Sequence, residues 1–243
     1  MQMFLTFVCL LLITASLGAQ QQYEADTIPT SRGELAITFF GHATLMLSFD
    51  GMIIHVDPWS KLADYSKLPK ADVILVTHDH SDHFDTGAIA RLRKNNTVIV
   101  YTKLCSEKLT GGIIMKNGDK QTVKGLEVEA VPAYNIQHKS DNGAPYHPKG
   151  DGNGYIITFG DKRVYVAGDT ENTPEMKALK KIDIAFLPMN LPFTMTPEMV
   201  ADAARVFKPS ILYPYHYEDT DVSKLVDLLK NEPGIDVRIR NMK

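Results

Sequence analysis

Apolar positions along the chain form short runs broken by turn residues, and the rhythm changes partway along. Residues 35–40, 45–49 and 52–56 carry the β-branched and aromatic residues of strands, separated by Gly41-His42 and by Asp50-Gly51, a dipeptide that favours a tight hairpin. Residues 72–77 are a continuous apolar run without alternation, which predicts a strand covered on both faces. A helix over 86–94 and a strand over 97–101 follow, and 121–124 with 126–131 predict another hairpin. The loop 132–152 is long and rich in Pro, Gly, Asn and His, and loops of that length tend to carry function. Strands at 155–159 and 163–167 come next. Alternation then sets in: helix 173–180, strand 184–187, helix 196–207, strand 211–213, helix 222–229, strand 237–239. Each half is strand-rich first and helix-alternating later. The pattern predicts an α/β (α+β) protein with two mixed sheets face to face and helices outside, a four-layer αββα sandwich.

The first residues stand apart from that pattern. Met1 to Tyr23 contains no Asp, Glu, Lys or Arg; an apolar stretch over 4–17 closes on small residues and then Gln20-Gln21-Gln22. This reads as a signal peptide over 1–19, cut near Gly18 or Ala19, ahead of a single domain over 20–243. It predicts export to the periplasm or extracellular space and no stable membrane insertion after cleavage, since the stretch is short for a spanning helix. The start lacks the usual Lys or Arg, which leaves a retained anchor as the alternative. With the signal removed, Cys105 has no partner for a disulfide once Cys9 is gone, and it reads as a small buried hydrophobe beside Leu104 and Leu109. The 26 Lys and Arg against 29 Asp and Glu give a net charge of −3. That argues against a nucleic-acid partner but leaves room for a small-molecule substrate, anionic ones included. Nothing in the sequence addresses oligomeric state.

The candidate chemistry lies in the histidines. Of the eight, three fall in Thr77-His78-Asp79-His80-Ser81-Asp82-His83, directly after the apolar run. At a strand end, positions i and i+2 project to one side, so His78 and His80 can share a metal. Asp82 and His83 follow where the chain turns into the next helix, so they address a neighbouring point. Two cations a few Å apart can use all four.

Here the chain resembles the metallo-β-lactamase superfamily of binuclear metallohydrolases, through His-x-His-x-Asp-His after a strand. Gly168-Asp169-Thr170 looks like the superfamily's bridging-aspartate motif, Pro214-Tyr215-His216-Tyr217 like its last-histidine motif, and Asp57 in Val56-Asp57-Pro58-Trp59 like its early aspartate. Phe40-Gly41-His42-Ala43-Thr44 is typical of the branch that includes the ascorbate-6-phosphate lactonase and N-acyl-phosphatidylethanolamine phospholipase D. The resemblance implies the αββα fold, a first cation on His78, His80 and a loop histidine, a second on Asp82, His83 and His216, and Asp169 between them. In similar sequences with a segment like Ala133-Tyr134-Asn135, the loop ligand looks like His147 of His147-Pro148-Lys149-Gly150; His138 is the alternative.

Nitrogen-rich ligation with carboxylates favours two Zn²⁺ ions, with Mn²⁺ or Fe as alternatives. Such a pair lowers the pKa of a shared water, so the expected chemistry is hydrolysis of a small ester, lactone or phosphoester by a metal-bound hydroxide, without a covalent intermediate. Asp82 is the expected proton carrier and His42 a candidate substrate contact, or a group that only satisfies the backbone. Asp57 is expected to accept the free N–H of a ligand histidine. His55 reads as sheet packing. Lys149 and Thr194-Met195-Thr196 are candidate pocket residues, the latter also an N-cap ahead of Pro197. The competing readings are a β-lactamase-type amide hydrolase, disfavoured because such enzymes usually carry Cys where this chain has Asp169, and a non-catalytic metal-binding protein of the same fold.

Overall fold

The computed structural model describes residues 23–243, so the segment expected to be a signal peptide, with Cys9, lies outside the described residues. One sheet contains, in both spatial and chain order, β1 (Glu24–Thr30), β2 (Gly33–Gly41), β3 (Thr44–Phe49), β4 (Met52–Val56), β5 (Val73–Leu75), β6 (Val98–Tyr101) and β7 (Ile113–Ile114). Strands β1 to β4 pair antiparallel and β4 to β7 parallel. The other sheet repeats this scheme with β8 (Lys120–Val123), β9 (Leu126–Ala133), β10 (Gly152–Phe159), β11 (Lys162–Val166), β12 (Ile184–Pro188), β13 (Ile211–Tyr215) and β14 (Asp236–Val237), antiparallel to β11 and parallel beyond it. Helix α1 (Thr86–Leu92) belongs to the first half of the chain; α2 (Pro174–Lys177), α3 (Pro197–Phe207) and α4 (Val222–Leu229) belong to the second. Among the described residues no helix is long and apolar enough to cross a membrane.

The layering follows from side-chain alternation. In the run 72–77, Val73 and Leu75 enter the core between the sheets, while Ile74 and Val76 join a second cluster with Ala88, Ile89 and Leu92 of α1. A strand covered on both faces has no polar side to show, so its sequence does not alternate. Between the sheets, Phe39 meets Phe186 and Tyr213, and Phe49 meets Phe159, at ring separations of 4.9–6.3 Å for the aromatic group as a whole. On the far side of the second sheet, Tyr165 packs edge-on against Phe207 of α3. Asp50 and Gly51 both have positive φ (49° and 76°), the mirror-image turn whose twist matches the strands it joins. Side-chain caps start the helices: Asp85 accepts from the Ala88 N–H, Thr173 from Met176 and Thr196 from Met199.

Strands β1 and β7 are not among the predicted elements, β14 lies one residue earlier and is shorter than predicted, and helix α2 is shorter. Strand β1 is not marked by apolar residues, because it is an edge strand with only Ile28 buried. Its Asp26 instead takes a two-pronged ion pair from Arg240 at 2.6 and 2.8 Å. Helix α2 is a single turn, not the span 173–180, and the chain leaves it through Lys181 at φ 55°.

His55 is buried in this fold and packs against Phe40 and Tyr65, as sheet packing requires. Burial pushes its pKa down to about 4, against a small opposing effect from the Pro69 carbonyl. A depressed histidine favours folding only while the unfolded chain is also neutral. Stability is therefore expected to fall as pH drops from about 6.5 towards 4, by roughly 3 kcal/mol in total. Urea unfolding of His55→Phe across that range should show a correspondingly flatter pH dependence; parallel curves for the two proteins would refute the assignment.

Candidate metal centre

The candidate residues leave the sheets at strand ends on one side of the molecule. Asp57 follows β4, His78 to His83 follow β5, Asp169 follows β11 and His216 follows β13; His42 lies in the turn between β2 and β3. Carboxyl ends of parallel strands are where open α/β sheets place ligands, because several loops converge there. Four non-glycine residues at this end hold positive φ: His42 (51°), Asp57 (43°), His216 (46°) and Glu218 (39°). Such backbone is costly and persists where surrounding contacts enforce it. Here the His216 N–H donates to the His42 carbonyl at 2.9 Å, and the His42 N–H donates to that of Lys243 at 2.8 Å. Gly168, at φ 65°, admits no side chain: a Cβ would lie 2.9 Å from the Asn153 carbonyl and 3.0 Å from Thr77 Cβ.

The side chains gather in three overlapping groups, each with donor atoms within 4.8 Å of one another: His78, His80 and His147; His42, Asp82, His83 and His216; and His78, His83 and Asp169. Asp169 sits between the first two. Its Oδ2 is 3.4 Å from His147 Nε2, 3.5 Å from His216 Nε2 and 4.0 Å from His78 Nε2, and its Oδ1 is 3.4 Å from His83 Nε2. Asp82 Oδ2 lies 3.8 Å from His83 Nε2 and 3.7 Å from His216 Nε2.

The inner nitrogens of His83 and His147 are aimed by a bond on the far side of the ring. Asp57, fully buried, accepts from the Thr77 N–H (2.8 Å), the Thr77 hydroxyl (2.7 Å) and His83 Nδ1 (2.8 Å). Asn135 Oδ1 accepts from both the backbone N–H (2.8 Å) and Nδ1 (2.7 Å) of His147. In His83 and His147 the proton held at Nδ1 leaves Nε2 as a lone-pair donor facing inward. Asn190 meets His216 differently: its Nδ2, a donor, lies 3.4 Å from His216 Nδ1, which is the acceptor.

Four inward atoms, Nε2 of His78, His83 and His216 and Oδ1 of Asp169, are buried without any hydrogen-bond partner. One buried unpaired polar atom costs about 1–3 kcal/mol, and four facing one space is the arrangement that cations satisfy. The imidazole and carboxylate donor set also suits divalent transition metals. The electrostatics agree. Burial alone would raise Asp169, but His216, His83 and His147 hold it well below the usual carboxylate range. Burial would lower His83, yet Asp169 and Asp57 push it well above the usual histidine value. His78 is pushed down by burial and by the neighbouring His83, and burial brings His216 to about 4. Asp82 is partly exposed; burial opposes its ionisation, and the His42 hydrogen bond together with His83 overrides that and lowers it.

The remaining sequence candidates are elsewhere or otherwise engaged. His138 turns its Nδ1 to the Thr194 carbonyl (2.7 Å) and is not in any of the donor groups. Lys149 does not line the cavity at the site; it pairs with Glu175 at 2.6 Å and sits over the Tyr134 ring. Thr196 caps α3, and Thr194 exchanges hydrogen bonds with the Asn190 backbone. Cys105 is buried, and burial pushes its thiol up to about 11. His42 Nε2 lies 2.9 Å from Asp82 Oδ2. Three residues carried no role in the sequence reading: Asn135, Asn190 and Glu171. The Glu171 carboxylate is buried and accepts the backbone N–H groups of Ile136, Gln137 and His138 at 2.6–2.8 Å, which fixes the loop that carries His147. Its only sequence signal is its place two residues after Asp169.

The sequence profile of the β-lactamase superfamily domain matches residues 36–216. A metal-dependent hydrolase of the UPF0173 group from Nanoarchaeum equitans is 32% identical over 197 residues, covering 78% of this chain and 87% of the relative. The crystal structure of a candidate metal-dependent hydrolase from Parabacteroides distasonis superposes with a TM-score of 0.87 at 51% identity, over 91% of this chain and all of that one. A metallo hydrolase from Ignicoccus hospitalis superposes at 0.69 with 26% identity, over 84% and 94% of the two chains.

Proposed function

This chain belongs to the metallo-β-lactamase superfamily of metal-dependent hydrolases, and on that premise we propose a binuclear enzyme that hydrolyses a small ester, lactone or phosphoester. The observation that carries the proposal is the set of buried, unpartnered donor atoms around Asp169. His78, His80 and His147 would hold one cation, Asp82, His83 and His216 the other, with Asp169 between them. Bound there, the cations would acidify a water and polarise the substrate oxygen. The chain's own groups do the rest. Asp57 and Asn135 hold His83 and His147 with Nδ1 protonated and Nε2 free. Asp82 Oδ2 borders the cavity and contacts His42 Nε2, so it can take a proton from water and return it to a leaving oxygen. Export is part of the proposal and rests on the uncharged start of the sequence; N-terminal sequencing from the native host tests it.

Metal-replete protein is expected to carry about two ions per chain. Chelation should abolish hydrolysis across a panel of lactones, esters and phosphodiesters, and Zn²⁺ or Mn²⁺ should restore it. At most one ion in replete protein sinks the binuclear reading, and full activity after chelation sinks metal-dependent hydrolysis.

His147→Ala should lower metal content and cut kcat/KM by about 100-fold or more, whereas His138→Ala should stay within a few-fold of wild type. The contrast follows from His147 facing Asp169 while His138 faces the Thr194 carbonyl. The reverse ranking of the two variants would overturn the assignment.

A further inference from the structure

The site opens into a cavity of about 230 Å³ whose walls differ in character. The lining presents donor residues. It also holds Tyr146 and Phe193, whose rings meet edge to face at 4.9 Å, and Asn190 and Glu218. Phe193 is 41% exposed, and Leu191 and Ile136, on the same two loops, are 44% and 46% exposed. The loops are tied together where Asn135 Nδ2 donates to the Phe193 carbonyl at 2.9 Å, and His138 bonds that of Thr194. Half of the exposed large hydrophobic residues described thus belong to these two loops, and of them Phe193 lines the cavity. The cavity lining contains no Lys or Arg, and its one carboxylate outside the donor set is Glu218.

We infer that Tyr146 and Phe193 form a subsite for an uncharged apolar part of the substrate, an aryl ring or short acyl chain, with Glu218 disfavouring a second anionic group. This deepens the hydrolase reading and rests on it for the word substrate. Three observations converge. An aromatic pair on the wall of a polar site offers a ring its preferred edge and face contacts. The volume suffices, since a cavity of about 150 Å³ holds a benzene molecule. Without Lys or Arg in the lining, a pendant phosphate or carboxylate would be desolvated with no countercharge beyond the donor cluster itself. An open apolar surface continuous with a reaction centre fits a substrate's non-reacting portion, which supplies binding energy remote from the chemistry.

The test compares binding of benzohydroxamate, acetohydroxamate and the anionic monohydroxamate of succinic acid to metal-replete protein by calorimetry. The benzo compound is expected to bind about tenfold or more tightly than the aceto compound. Phe193→Ala should bring that ratio close to one and Phe193→Leu should restore part of it; Phe193 is exposed enough to be replaced without opening the core. The succinyl compound should bind more weakly than the aceto compound, and Glu218→Gln should remove that difference. Saturation transfer to the ring protons of benzohydroxamate, read in chelated protein, should be present in wild type and lost in Phe193→Ala, so the subsite is tested even if the metal centre is misassigned. A flat ratio in wild type, a ratio unchanged by Phe193→Ala, or tighter binding of the anionic compound would overturn the inference. Absence of turnover with every ester alongside a Phe193-dependent ratio would sink the hydrolase reading and leave the subsite standing.

Discussion

Asp169→Asn is expected to lower kcat/KM on the order of 10⁴-fold or more and to leave at most one ion per chain. The substitution keeps the shape of the side chain and removes its charge and one of its two acceptor oxygens. In the structure both oxygens are in use: Oδ2 faces His147 and His216, and Oδ1 faces His83. An amide can present an acceptor to one side only, and its NH₂ would point at imidazole nitrogens that need to stay free. The same change should destabilise the metal-free protein. Asp169 sits well below the usual carboxylate range because His216, His83 and His147 lie against it, so its ionised form stabilises the fold at neutral pH and that contribution is lost as acid protonates it. Removing the charge leaves His83 with Asp57 alone and should bring the His83 pKa down. Metal analysis, steady-state kinetics and melting with and without chelator check the three consequences. A variant that retained two ions and activity within tenfold would place the bridge elsewhere.

The second large effect is expected at Asp57, which does not line the cavity. Its carboxylate is fully buried and receives three hydrogen bonds, two from Thr77 and one from His83. Asp57→Ala leaves those donors unpaired in the interior and breaks the buried pair with His83, which should cost about 3–5 kcal/mol of stability. For a chain of this size that lowers the melting temperature by roughly 10 °C. Asp57→Asn separates structure from function. It fills the same space, but with its oxygen on Thr77 it turns an NH₂ towards His83 Nδ1. The ring must then carry its proton on Nε2, the atom that faces the donor cluster. Metal affinity should drop about 10–100-fold with a smaller stability loss than the alanine variant shows. Equal metal affinity in wild type and Asp57→Asn would mean that Asp57 is only a turn residue ahead of Pro58.

How much of this was visible in the sequence depends on how local each feature is. The run 72–77 is legible as a doubly covered strand because four consecutive side chains alternate between two apolar environments. His78 to His83 are legible as a cluster because six residues contain most of its donors. Asp169 and His216 come from separate strands, and without the family motifs nothing in their neighbourhood connects them to His78. His42 lies 40 residues from Asp82, and only the pairing of β2 with β3 brings it there. The roles of Asn135, legible only as part of a motif, and of Glu171 were hidden for a different reason. Both are polar residues in or beside a long loop, where no periodicity marks which ones turn inward. Strand β1 is hidden because its polar side chains answer Arg240 and Asn241, more than 200 residues away, and an edge strand that bonds a terminal segment needs no apolar face.

The repeated strand scheme has a consequence for how the centre is divided. Each sheet turns from antiparallel to parallel at its fourth strand, β4 or β11. Asp57 follows the first of these and Asp169 the second, so the two carboxylates come at corresponding points of the two strand schemes. A self-complementary pair of one seven-stranded unit would present two such aspartates to a shared centre on its symmetry axis. In this chain the two divide the labour: one aspartate stands behind His83 and fixes its proton, while its counterpart stands in front among the donors. In a single covalent chain two similarly placed carboxylates can thus carry different tasks, which two identical subunits related by symmetry could not divide between them.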